Sequence, residues 1–103
     1  MTDRRYCSVQ LLSPLAFEER LLDALLGLEQ VGIFMSAPAH AHGFAHGALS
    51  TAEQVSGRSA AALVQVLVPE DRLDALLAAL QDDLARSGVR YWVTPVGRQG
   101  EFQ

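Results

Sequence analysis

The sequence predicts an α+β domain in which a four-stranded antiparallel sheet carries two helices on one face. Three observations predict it. Leucines fall at helical spacing in two separate stretches, around Leu21 and around Leu76. Short segments with a strand's two-residue alternation, or a dense Val/Leu run, lie before and after each of them. The halves also repeat: Pro14 and Pro69, Leu21 and Leu76, Leu22 and Leu77, and Leu25 and Leu80 each stand 55 positions apart.

Tyr6 to Leu12 reads as the first strand, with Cys7, Val9 and Leu11 on an apolar face and Tyr6, Ser8, Gln10 and Leu12 on the other. Ser13 and Pro14 read as the cap and first residue of a helix. Phe17, Leu21, Leu22, Leu25 and Leu28 form its buried stripe to about Gln30, and Gly32 supplies a left-handed exit. Ile33 to His40 is the second strand and Ala61 to Val68 the third. Pro69-Glu70-Asp71 opens a second helix, whose early carboxylates suit the positive end of its dipole. Its stripe is Leu73, Leu76, Leu77, Leu80 and Leu84, and Gly88 ends it. Val89 to Val96 is the fourth strand, placed by Pro95 at an edge or a strand end. Residues 97–103 form a polar tail. Strand, helix, strand twice over is the ferredoxin-like βαββαβ plan.

That plan leaves one sheet face without helices. Both parities of the third strand carry large aliphatics, and the fourth carries Trp92 opposite Tyr91 and Val93. An apolar face of this size is a contact surface, so the chain is expected to pack against copies of itself.

The 103 residues suit a single domain spanning 1–103, and 50% hydrophobic with 19% charged residues suit a packed core. A net charge of −4 without a run of Lys or Arg argues against nucleic acid as a partner. Charges interrupt every leucine-rich stretch, so no membrane insertion is expected. The polar start and the single cysteine, Cys7, fit a cytoplasmic protein. Cys7 and Met35 are expected to pack in the core.

Residues 37–58 hold all three histidines and three of the eight glycines, with no aliphatic run fit for a core. The unpaired part, about 41–59, is longer than a plain connection and reads as a working loop. His40, His42 and His46 form His-x-His-x-x-x-His. Two imidazoles on one strand face can converge on a Cu, Ni or Zn ion, with His46 as third ligand and Glu53 as a further one. Arg58, Arg90 and Arg98 are the cations available to an anion. No Ser-His-Asp order, reactive cysteine setting or paired catalytic carboxylate is present, so an enzyme is not expected.

The order of elements, with a strand beginning at Gly32, the long loop, and Val64 to Leu76 (Val-Gln-Val-Leu-Val-Pro-Glu-Asp-Arg-Leu-Asp-Ala-Leu), resembles the P-II-like signalling proteins. His40-Ala-His-Gly, Leu49 to Arg58 and Arg90 to Val96 are similar to an uncharacterised bacterial branch of that superfamily. Members of the branch are typically encoded beside heavy-metal efflux pumps. The resemblance implies a homotrimer with the open sheet faces packed together, ligands in clefts between subunits, and a T-loop after the second strand. It implies a regulatory protein that meets a partner, such as an efflux component, through that loop. The family's Gly-x-Gly-Arg-Gln at the loop base, where amides and an Arg meet nucleotide phosphates, is replaced here by Ala41-His42-Gly43-Phe44-Ala45. Gly43 is the one position of that anion-binding segment that persists. The resulting expectation is a transition-metal sensor, or a metal-sequestering protein without a partner. The second is a protein that binds an adenine nucleotide or other anion.

Overall fold

The computed structural model describes residues 4–29, 31–44 and 58–103. Its strands are β1 (Tyr6–Pro14), β2 (Phe34–His42), β3 (Arg58–Pro69) and β4 (Arg90–Val96), and its helices α1 (Glu18–Leu26) and α2 (Leu73–Leu84). They follow the predicted order, and the sheet runs β2-β3-β1-β4 with every neighbouring pair antiparallel. The α+β, ferredoxin-like plan is therefore the fold.

The alternation read from the sequence sets the two faces. Cys7, Val9 and Leu11 of β1 and Val64, Val66 and Val68 of β3 are buried beneath Leu21 and Leu25 of α1 and Leu76 and Leu80 of α2. Burying a side chain of this kind is worth roughly 1.5–3 kcal/mol each. Pro95 lies on an edge strand, where its missing N–H costs no inner ladder bond.

Several boundaries differ from the sequence reading. Ser13 does not cap a helix: β1 continues through Pro14, which pairs with Ala61, and the Ser13 hydroxyl donates to the Pro14 carbonyl at 2.8 Å. Strand pairing wins there because Pro14 stays extended at φ −54°, ψ 144°, and a 3-10 turn (Leu15–Phe17) leads into α1. The second helix starts the same way, through Glu70–Arg72. Gly32 is not a left-handed exit; α1 stops at Leu26, and Gly27 closes it in right-handed geometry at φ −86°. Gly88 does turn left-handed, at φ 84°, beyond a bend at Ser87. Ser87 ties that bend: its hydroxyl donates to Leu84 O at 2.6 Å and accepts from Val89 N at 3.1 Å.

The hairpin of β2 and β3 is longer than expected, with His40 opposite Ala60, Ala41 opposite Ser59 and His42 opposite Arg58. Unpaired chain therefore begins at Gly43. Phe44 folds back to fill a small second core with Ala41, Ala61 and Leu12. Met35 is not a core residue: it is 58% exposed on the face opposite the helices. That face is mixed. Leu12, Leu63, Leu67 and Trp92 share it with Ser8, Gln10, Gln65 and Thr94, and the Gln10 amide meets the Ser8 hydroxyl at 2.8 Å.

Candidate ligand-binding site at the hairpin tip

β2 and β3 carry the sequence-predicted ligands outward together. His40 and His42 stand two residues apart in an extended strand, which puts both imidazoles on one side with Cα atoms about 7 Å apart. That side is shared with Phe34, Ser36 and Pro38, and from Ser36 outward it is no longer covered by the helices: Ser36, Pro38, His40 and His42 are all exposed. Ala60, opposite His40, leaves its imidazole room to turn. Arg58 lies directly across the ladder from His42 and on the same face, near enough for the two side chains to share one ligand. Gly43 follows at φ 89°, a left-handed geometry that a Cβ would strain, with open space where a side chain would sit.

His40, His42, Gly43 and Arg58 are thus brought together. His46 and Glu53 lie outside the described residues. Arg90 is not part of this group, because it begins β4 opposite Leu12, with β1 and β3 between it and β2. Arg98 follows β4 at the opposite end of the sheet. Among the described residues no three His, Cys, Asp or Glu side chains converge as a metal site. Two imidazoles supply half of the four ligands that a tetrahedral ion takes.

A second grouping was not legible in the sequence. Arg4 and Arg5, just before β1, meet Tyr6, Val96, Gly97, Arg98 and Gln99 around an open cleft of about 410 Å³. The pairing of β1 with β4, which ends at Tyr6 opposite Val96, brings residues 4–5 and 97–99 together. Nothing in the local sequence announces that register. Cys7, the soft atom of the core, is buried, and burial pushes its thiol pKa up, with the Glu70 charge adding to the effect.

A sheet of this order and pairing, with both helices on one face, places the chain among proteins with the PII-like and CutA fold. The chain belongs to the DUF3240 family, a protein family of unknown function, whose match covers residues 4–103. A DUF3240 family protein from Shewanella baltica OS155 superimposes with a TM-score of 0.78 at 18% identity over 100% of both chains. The periplasmic divalent cation tolerance protein CutA from Archaeoglobus fulgidus gives 0.69 at 11% identity, over 93% of this chain and 88% of its own. CPII from Thiomonas intermedia K12, a nitrogen regulatory PII-like protein, gives 0.66 at 19% identity, over 92% of this chain and 96% of its own. No curated protein matches the sequence. At these identities the likenesses establish the fold.

Proposed function

We propose that this protein is a PII-like regulatory subunit that binds a small ligand without catalysing a reaction, and that the ligand is a transition-metal ion. The observation that carries the reading is the pair of exposed imidazoles, His40 and His42, on one side of the outer end of β2. His46 or Glu53 completes the coordination, and Cu, Ni or Zn accepts such a donor set. The fold shared with a protein named for divalent cation tolerance supports this choice. In the same reading the chain works as a homotrimer in the cytoplasm, its helix-free sheet face turned inward. The loaded hairpin then contacts a partner in heavy-metal efflux or tolerance.

Titration calorimetry with Cu²⁺, Ni²⁺ and Zn²⁺ tests it. The wild type is expected to bind at least one of them, and His40→Ala/His42→Ala to bind about tenfold or more weakly. Identical heats for the two proteins overturn the metal reading. A pull-down with and without metal then separates a sensor from a sequestering protein, since only a sensor gains a partner on loading.

One observation favours a second reading. Arg58 faces His42 across the ladder beside the open backbone of Gly43, an arrangement that suits an anion as well as a cation. CPII was solved bound to ADP, AMP and bicarbonate. Binding of ADP that Arg58→Gln abolishes, with no heat from any metal, would replace the first reading by this one.

A further inference from the structure

We propose that the arginine cleft at the far end of the sheet, between the approach to β1 and the exit from β4, is a binding site for a phosphoryl group. The site is separate from the hairpin tip and does not rest on the metal reading.

The strand register builds it. β1 and β4 end their pairing at Tyr6 opposite Val96, and the chain continues past that last rung with Arg4 and Arg5 on one side and Gly97 and Arg98 on the other, all lining one cleft. On the other side of β1 the same continuation from Tyr6 opposite Pro69 sets Arg5 beside Glu70 and Arg4 beside Asp71. Both of those contacts are made: Glu70 N donates to Arg5 O at 2.9 Å, and the Arg4 guanidinium meets the Asp71 carboxylate at 3.2 Å. The β3 side of the rung therefore answers Arg4 with a carboxylate and pins the Arg5 backbone. The β4 side adds Arg98, with Gly97 and Gln99, and brings no carboxylate to the cleft lining.

The charge count makes that asymmetry informative. The chain holds 12 acidic and 8 basic residues, yet three of the eight bases line this cleft with no carboxylate among its lining residues. Among the described residues neither the Arg5 nor the Arg98 side chain makes a hydrogen bond or ion pair. Asp71 answers the Arg4 charge, which leaves Arg5 and Arg98 as the two cations of the cleft for an anion to balance, and a dianion between them removes their mutual repulsion. Planar guanidinium forks match the paired oxygens of a phosphoryl group, and the Tyr6 phenol adds a neutral donor on the same wall. Gly97 has no heavy atom within 4 Å of where a Cβ would sit, so the cleft stays open beside it. A cleft of about 410 Å³ is larger than a bare phosphate requires and lies in the range of small-molecule sites. The phosphoryl group can thus come from inorganic phosphate or from a larger phosphorylated metabolite.

Thermal shift and calorimetry on the full chain distinguish these sources, using inorganic phosphate, pyrophosphate and ribose 5-phosphate, with ribose and sodium chloride of matched ionic strength as controls. The wild type is expected to respond to the phosphorylated compounds and not to the controls. A stronger response to inorganic phosphate identifies the free ion as ligand, and a stronger response to ribose 5-phosphate a metabolite. Arg5→Gln/Arg98→Gln is expected to weaken the response about tenfold, and His40→Ala/His42→Ala to leave it unchanged. Arg98→Gln alone, outside every strand, serves if the double variant misfolds. A wild type that responds no more to phosphate than to chloride overturns the proposal, as does an arginine variant that responds like wild type.

Discussion

Cys7 is 3% exposed between the sheet and the helices, and its thiol reaches the Val68 carbonyl at 3.7 Å. Desolvation, and then the Glu70 carboxylate, hold its pKa above the ordinary value of 9.0. The sign of the consequence follows from proton linkage. Between 9.0 and the higher folded value, the folded chain keeps a proton that the unfolded chain has lost, so stability falls as pH rises through that window. Below pH 9 the contribution is fully present. Urea midpoints measured from pH 7 to pH 10.5 are expected to fall more steeply for wild type than for Cys7→Ala, which lacks the thiol; parallel curves would contradict this. The alternation of β1 located Cys7 because Val9 and Leu11 share its parity. Met35 offered no such guide: Phe-Met-Ser-Ala-Pro-Ala-His-Ala-His has small or polar residues on both parities, so its faces are set by pairing with β3 alone. Exposure of His40 and His42 also has a stability corollary. Their replacement by Ala is expected to change the unfolding free energy from urea titration by no more than about 0.5 kcal/mol, so a lost metal heat reports ligation rather than unfolding.

The internal repeat is the feature of the elements that the sequence carried most fully. Positions 55 apart become structural equivalents: Pro14 and Pro69 both close a central strand, at φ −54° and −59°, and both feed a 3-10 turn. Phe17 and Arg72 then start the helices with φ −108° and −111°, and Leu21 and Leu76 are each 0% exposed beneath them. What the sequence misplaced was the seam between strand and helix. Ser13-Pro14 carries a strong helix-start signal, yet β1 is a central strand, and its ladder to β3 outweighs a single cap worth about 1 kcal/mol. The equivalence predicts matched losses. Leu21→Ala and Leu76→Ala should each cost about 2–5 kcal/mol in denaturant unfolding and agree within about 1 kcal/mol. Leu22→Ala and Leu77→Ala, half-buried on the flank of each stripe, should cost less. A large difference between the two fully buried leucines would show that one helix packs on a core the other does not share.

At the scale of the whole molecule, the described chain has a radius of gyration of 15.0 Å and extends 54 × 27 × 20 Å, where a compact chain of this length would measure about 13 Å. The excess comes with the long hairpin of β2 and β3 and with a tail whose Phe102 is fully exposed. An uncovered sheet face was legible from the parities of β3 and β4, but the polar set running through it was read only as the remainder of an alternation. Trp92 lies on that face opposite Gln10, 46% exposed, and is the chain's 1 tryptophan. It is therefore a built-in probe of self-association. If three copies bury these faces together, light scattering gives three times 11.1 kDa, and tryptophan emission shifts to the red on dilution as the indole meets water. Trp92→Glu sets a carboxylate into that contact at little cost to the isolated subunit, because nearly half of the indole is already in solvent there. The variant is expected to keep its far-ultraviolet dichroism and run at 11.1 kDa. Burial of a charge without a partner costs several kcal/mol per copy, more than a contact of moderate size can absorb three times over. A wild type that already scatters as one chain, with emission independent of concentration, would leave the sheet face in water and require any third metal donor to come from residues 45–57 of the same subunit.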